Sequence, residues 1–214
     1  QLKMINLWHV FQQMAHLGVD SLPIISLTLL FAGAVMTLQI TDVLITYGAQ
    51  STVGGLMAVA MGRELGPILV GVVLAGRVGA AITAEIGTMK VTEQIDALRV
   101  MAVDPVGYLV VPRVVACMVM VPILAFYGVV IGIAGGYFVA TAIKGLAPST
   151  YLDSIQMFST ISDFTLGLIK SSVFGAVIAL VGAYKGMETK MGAEAVGFST
   201  TSSVVTSIIL VFVL

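Results

Sequence analysis

The only sustained polar segment of the chain lies between two long apolar runs. It extends from Thr88 to Pro105 and reads TMKVTEQIDALRVMAVDP. At helical spacing, one face would carry apolar side chains, those of Val91, Ile95, Leu98 and Ala102. The other face would carry polar ones, those of Glu93, Gln94, Asp96 and Arg99. Asp104-Pro105 would end this amphipathic helix, which is either an ordinary solvated connection or a docking helix that transmits motion from a soluble partner.

Two ionisable residues lie within a strongly apolar run just before that segment. Arg77 and Glu85 are separated by about 12 Å along a helix, so Arg77 is expected inside the membrane rather than at its edge. Ionisable groups at that depth are costly and mark either structural ion pairs or a transport path. Together with Asp42, they leave open an ion-coupled transporter as an alternative. Lys170, in another apolar run, is expected to extend its ammonium group toward the membrane surface.

Arg63 and Glu64 precede Leu65-Gly66-Pro67 at one end of the same apolar run. Adjacent side chains on a helix point in different directions, so a mutual ion pair is not their obvious purpose. They either stabilise the fold or face a lipid headgroup or a helix of a second subunit.

Several kinds of site are missing from the sequence. It has no G-x-x-x-x-G-K-[ST] loop for nucleotide phosphates and no G-x-S-x-G or H-E-x-x-H motif for hydrolysis. One cysteine and two histidines without clustering make a metal site improbable. Ten Lys and Arg against eleven Asp and Glu provide no basic surplus for nucleic acid. We therefore expect a non-enzymatic chain that binds no cofactor, metal or nucleic acid.

The composition is that of an integral membrane protein. Only 10% of the 214 residues are charged and 58% are hydrophobic, whereas soluble domains carry about 25% charged residues. A spanning helix needs roughly 20 apolar residues. Five runs qualify and predict one all-α transmembrane domain over residues 1–214: 22–47, 53–86, 108–143, 164–185 and 199–214. Residues 1–20 alternate apolar and polar side chains at helical period and predict an interfacial helix.

The connections between the runs predict the orientation. We expect an external loop over Lys144 to Asp163 and continuation of the natural chain beyond both termini. With the N-terminus in the cytoplasm, six basic residues lie inside: Lys3, Lys90, Arg99, Arg113, Lys185 and Lys190. Three lie outside: Arg63, Lys144 and Lys170. This asymmetry favours a cytoplasmic N-terminus.

Small residues recur at four-residue spacing in three of the runs. The stripes are Gly128, Gly132 and Gly136; Ala75 and Gly79; and Gly182 and Gly186. Such stripes let helix backbones approach closely, and packing within one subunit is the simpler interpretation than packing between subunits.

The run from Arg63 to Pro105 closely resembles the signature region of the MlaE (YrbE-type) permease family. Its elements RELGP, AGR-G-A, AEIGTM and EQ-D-L-VMAVDP occur in order over more than forty residues. Similarity continues through VPRVVA and GIAGGY to STTSSVV. The resemblance thus covers most of the chain.

The resemblance implies a homodimeric permease of an ABC transporter that moves phospholipids between the inner and outer bacterial membranes. Family members have an N-terminal interfacial helix and five transmembrane helices in the inner membrane. Expected partners are a second copy, two cytoplasmic ATPases that bind ATP and Mg²⁺, a periplasmic ring of MCE-domain proteins and a STAS-type accessory subunit. An ion-coupled secondary transporter of an amphipathic substrate is the alternative.

The resemblance also assigns roles to individual positions. The lipid cavity would be lined by Met36, Val43, Tyr47, Arg63, Glu64 and Leu65. The segment 88–105 would be the coupling helix that docks into the ATPase, with Glu93, Gln94, Asp96 and Arg99 on its polar face.

Overall fold

The structure is a computed structural model that describes residues 7–214, apart from the side chains of residues 7–9 and of His16. The part of the predicted interfacial helix before residue 7, including Lys3, lies outside this range. Within it every regular element is a helix. The eight helices of the described chain are α1 (Leu7–Val19), α2 (Leu22–Thr46), α3 (Gln50–Val91), α4 (Gln94–Val100), α5 (Val106–Ile143), α6 (Pro148–Phe158), α7 (Ile161–Met187) and α8 (Ala193–Val213).

Five of these helices are long and apolar enough to cross a membrane: α2, α3, α5, α7 and α8. The predicted all-α fold with five spans is therefore confirmed. At 42 residues, α3 reaches about 63 Å, about twice the thickness of a hydrocarbon core. Both α3 and α5 contain turns of π-helix, at Met61–Leu65 and Ala75–Gly79 in α3 and at each end of α5. Such turns appear frequently at functional sites.

The structure revises three boundaries. Residues 144–163 are not simply a loop, because α6 forms within them, with Pro148 at its first position, where a missing N–H costs nothing. The last span begins at Ala193 instead of Ser199. The second continues to Val91, so residues expected at the start of the coupling segment belong to α3.

The coupling segment contains a helix shorter than predicted. Its helix α4 covers only Gln94–Val100, and Ala102, expected on the apolar face, lies beyond it with a φ of 58°. Asp104 does not end α4 but caps α5, because its carboxylate accepts hydrogen bonds from the backbone N–H groups of Val106 and Gly107 at 3.1 and 3.0 Å.

The described chain forms two compact units. Unit 1 comprises residues 7–21, Gly71–Val121 and Ser172–Leu214, and unit 2 comprises Leu22–Val70 and Pro122–Ser171. Helices α3, α5 and α7 contribute residues to both.

Unit 2 is held together by a close approach of α2 and α5. The buried positions of α2 recur every four residues: Ile25, Leu29, Gly33, Thr37 and Thr41. Gly33 lies directly against the backbone of Gly132, and a Cβ on Gly128 would meet Leu29 and Val70. The predicted glycine stripe thus permits packing within the subunit, where small side chains allow close van der Waals contact.

Helix α6 packs on the first turns of α3 in the same unit. The Gly55 N–H donates to the hydroxyl of Ser154 at 2.9 Å. Tyr151 is buried and contacts the ring of Tyr137 edge-on, with centroids 5.6 Å apart. Its removal from water raises the pKa of the Tyr151 phenol to about 12.

In unit 1, α8 and the end of α7 pack against residues 75–91 of α3. The Thr83 hydroxyl bonds its own helix at Gly79 O, 2.8 Å away, and also lies 3.1 Å from Gly182 O. A Cβ on Gly186 would collide with Ile86. The two shorter stripes of small residues therefore also serve internal packing.

Candidate functional site

All six residues predicted to line the lipid cavity lie in unit 2. Met36, Val43 and Tyr47 are spaced by seven and four residues, which places them on one side of α2. The Tyr47 N–H continues the helical bonding pattern to Val43 O, so this side extends one residue past the helix. Val43 is 56% exposed and Tyr47 81% exposed, whereas Met36 is half-buried. An isolated chain therefore presents a partly apolar surface here.

The π-turn at Met61–Leu65 carries the other three predicted residues. Arg63 and Glu64 are exposed and Leu65 is half-buried. As expected, the two charged side chains do not pair with one another. Glu64 accepts hydrogen bonds from the ammonium of Lys170 at 2.6 and 2.7 Å, and Arg63 lies 3.7 Å from the carboxylate of Asp163.

The ion-pair partners of Arg63 and Glu64, which are Asp163 and Lys170, both lie on α7. Asp163 also accepts hydrogen bonds from the N–H and hydroxyl of Thr160, which hold its carboxylate at the start of the helix. Sequence reasoning missed Asp163 and treated Lys170 only as a lysine reaching toward the surface. The seven-residue spacing of these two positions, two turns apart on one face, was the signal that could have linked them to Arg63 and Glu64.

A third ion pair in unit 2 joins Asp42, near the end of α2, to Lys144, just after α5. Asp42 was one of the residues that kept an ion-coupled pathway open. Its charge is balanced within the chain.

The predicted intramembrane charges also have partners, both within unit 1. Arg77, on the second π-turn of α3, donates to the Ser21 hydroxyl at 2.5 Å and lies 3.5 Å from the carboxylate of Asp20. One of the two expectations for Arg77 was a structural ion pair with a carboxylate on another helix. Its partner Asp20 instead lies in the turn between α1 and α2.

Glu85 is bound by Arg113, a pairing that sequence reasoning did not foresee. Their atoms lie 2.9 Å apart, and Arg113 also donates to Leu109 O at 2.7 Å. The Arg113 side chain is only 11% exposed. A guanidinium so withdrawn from solvent requires this compensation, which favours a structural role for the pair.

The four predicted coupling residues lie on or beside α4. Asp96 is 2.9 Å from Arg99 and 3.4 Å from Lys90, which ties α4 to the end of α3. Glu93 has a φ of 60°, a left-handed conformation that lets the chain turn between the two helices, and both it and Gln94 are exposed.

The apolar residues of this segment differ in their exposure. Ile95 is buried and anchors α4. Val100 and Met101, which sequence reasoning did not single out, are 88% and 64% exposed. The segment therefore offers both charged and apolar groups to a partner.

Reversing the charge of Glu64 or of Lys170 alone is expected to destabilise the purified protein by about 1 kcal/mol, or roughly 2–4 °C in Tm, because two like charges would then meet. The double swap, Glu64→Lys with Lys170→Glu, is expected to recover most of that loss. Thermal unfolding of the four proteins measures the coupling. Additive losses in the double variant would show that the pair contributes nothing.

Comparison with known sequences gives the family. The sequence model of the family "Permease MlaE" matches residues 10–214. A protein of Synechocystis described as a probable ABC transporter permease is 45% identical over 209 residues, covering 98% of this chain and 80% of the relative. One from Rickettsia typhi with the same description is 41% identical, covering 95% of this chain and 79% of the relative.

A plant protein is also similar. The Arabidopsis thaliana chloroplast protein Trigalactosyldiacylglycerol 1 is 38% identical over 205 residues, which cover 96% of this chain and 59% of that protein. The match to the family model, over residues 10–214, includes residues of both units and all five spanning helices. The chain therefore belongs to the MlaE permease family and is a multi-pass ABC transporter permease.

Proposed function

We propose that the chain is the permease of a phospholipid transporter in a bacterial inner membrane, with a cytoplasmic N-terminus. It works as a homodimer whose two copies enclose an amphipathic lipid cavity. The observation that carries this proposal is the chemistry of the surface in unit 2, where the partly apolar side of α2 and the charged π-turn of α3 are both exposed.

That surface matches the two parts of a phospholipid. Val43 and Tyr47 offer apolar contact for acyl chains, and Arg63 and Glu64, together with their ion-pair partners on α7, offer charges of both signs and hydrogen bonds for a headgroup. An apolar helix face in a membrane lies against lipid or against another helix. If a second copy faces the first, the two surfaces enclose lipid between them. Each face then contacts both lipid and a helix of the other copy.

The relatives support the substrate class only in general terms. The name of the Arabidopsis protein refers to a diacylglycerol lipid. That this chain also handles a diacylglycerol lipid, and that this lipid is a phospholipid, are both parts of the proposal.

Energy would come from a separate ATPase that binds ATP and Mg²⁺. Helix α4 is joined directly to α3 and α5, so a displacement of α4 by the ATPase would act on two spanning helices at once. Because Glu93, Gln94, Val100 and Met101 are exposed, they can form the docking contact. A periplasmic ring of MCE-domain proteins and a STAS-type subunit complete the proposed assembly.

The ion-coupled alternative has no comparable support. Asp42, Glu85 and Arg77 each lie beside an opposite charge in the chain. None of them requires a transported ion for charge balance. Membership of an ABC permease family also argues for ATP as the energy source.

A photoreactive phenylalanine in place of Tyr47 tests the cavity. We expect it to crosslink phospholipid in the complex without nucleotide, and the yield to fall several-fold when the ATPase is trapped with ATP, because closure would compress the cavity. Phe31 provides a matched control, since it is 58% exposed and lies on the other side of α2. Its lipid adduct should not respond to nucleotide. Equal, nucleotide-independent adducts at the two positions would contradict the cavity.

A further inference from the structure

A groove in unit 1 lies where α7 ends and α8 begins. This groove is open on one side and has a volume of about 250 Å³. Its lining comes from the last turns of α7, the connection and the first turns of α8: Lys185, Glu188, Lys190, Ala195, Phe198, Ser199 and Ser202. None of these residues belongs to the predicted lipid cavity or coupling set, and all six cavity residues lie in unit 2.

The lysines of this groove differ from the other lysines that the structure describes. Lys90, Lys144 and Lys170 each form an ion pair within the chain. Within residues 7–214, neither Lys185 nor Lys190 has a carboxylate within ion-pair distance. Glu188 supplies the one negative charge in the lining, so the groove carries a net positive charge. Two ammonium groups without an ion-pair contact, against one carboxylate, favour an external anion on this concave surface.

The groove also offers hydroxyl donors that the helix does not use. Thr200, Thr201 and Thr206 of α8 each donate to the carbonyl oxygen four residues earlier. Ser199 and Ser202 have no such bond within the described chain. Their hydroxyls are therefore free to donate to a ligand oxygen.

The position of the groove favours an anion attached to a lipid. Because α7 and α8 are spanning helices, the end that they share lies at the membrane boundary, at the depth of headgroups. Ser199 is the nearer of the two serines to this end, about 9 Å along α8 from Ala193, whereas Ser202 lies about 14 Å from it, close to the middle of the span. Phe198, on the same stretch, is 78% exposed and provides an apolar flank beside the polar groups. A soluble inorganic anion gains no binding energy from an apolar ring beside it, whereas an acyl chain does.

We propose that this groove binds the phosphate of an anionic membrane phospholipid through Lys185 and Lys190, with Ser199 donating a hydrogen bond. Lysine binds phosphate as a compact charge with three donors. The volume is below the roughly 300–1,000 Å³ of sites for drug-sized ligands, so it accommodates a headgroup and leaves the acyl chains outside, beside Phe198. The site does not depend on the proposed transport function, since a permease of any substrate could hold such a lipid.

The test is the affinity of the purified protein for phosphatidylglycerol and for phosphatidylcholine, measured by native mass spectrometry. We expect Lys185→Gln with Lys190→Gln to weaken phosphatidylglycerol binding about 30-fold, which corresponds to about 2 kcal/mol at roughly 1 kcal/mol per lysine, with little effect on phosphatidylcholine. The charge-preserving variant Lys185→Arg with Lys190→Arg should retain binding. Lys144→Gln, which removes a lysine from unit 2, is the matched control and should also retain it.

Three results would overturn the assignment. The first is unchanged phosphatidylglycerol affinity in the double glutamine variant. The second is displacement of the lipid by inorganic phosphate at millimolar concentration, which would assign the groove to a soluble anion. The third is a photoreactive group at Phe198 that labels a protein subunit of the complex and no lipid. Nucleotide-dependent crosslinking at Tyr47 in the double glutamine variant reports separately on the transport cavity, so failure of one proposal is distinguishable from failure of the other.

Discussion

Replacing Gly33 with alanine is expected to lower the Tm of the purified protein by about 2–12 °C. A Cβ at this position would overlap the backbone of Gly132, and backbone cannot rotate away as a flexible side chain can. Overpacking of this kind costs about 1–3 kcal/mol, and each kcal/mol corresponds to roughly 2–4 °C for a chain of this size. Thermal unfolding in detergent, followed by size exclusion, measures the loss.

Gly76→Ala is the matched control for that substitution. Gly76 is also helical, but a Cβ there meets no atom within 4 Å. Alanine favours a helix over glycine, so we expect an unchanged or slightly raised Tm. If both variants unfolded at the same temperature, the close approach of α2 and α5 would not be a determinant of stability.

The second large effect is expected on ATPase binding. Replacing both Glu93 and Asp96 with arginine should reduce the amount of ATPase that co-purifies with the permease by tenfold or more, while membrane insertion is retained. Glu93 is exposed and Asp96 half-buried in the coupling segment. If these carboxylates face basic groups of the ATPase, as we propose, the reversal places like charges across the interface, which costs several kcal/mol. Co-expression followed by affinity purification from detergent measures the ratio of the two subunits.

Two further variants separate docking from folding. Asp96→Asn removes the ion pairs with Lys90 and Arg99 without adding positive charge, and therefore reports on the structural role of Asp96. Asp153→Arg reverses an exposed charge on α6 in unit 2 and should leave the subunit ratio unchanged. Normal co-purification of the double arginine variant would exclude α4 as the docking element.

The partners of the charged residues were much harder to predict than the residues themselves. Arg63, Glu64, Arg77 and Glu85 were recognisable because charges in apolar runs are rare. Their ion-pair partners are as many as 106 positions away, as for Glu64 and Lys170. No local periodicity reports which turns of two distant helices pack together, so these partners became visible only in the folded chain.

Local irregularities escaped prediction for a related reason. The π-turns differ from α-helix by one residue in the hydrogen-bonding pattern and have no compositional signature as clear as that of a span. Helix α6 was hidden within a polar connection, since its amphipathic pattern is short and its stability comes from packing on Gly54 and Gly55. The groove beside Lys185 and Lys190 likewise depends on how two helix ends meet.

The sequence by itself determined that this is a five-span membrane protein, because transfer of about 20 apolar residues into hydrocarbon depends on composition and length alone. It also determined the family, through the ordered motifs between Arg63 and Pro105. Only the tertiary structure decided which charges neutralise each other and which lysines remain available for a ligand. Those outcomes depend on distances of a few ångströms between helices, which a linear pattern does not contain.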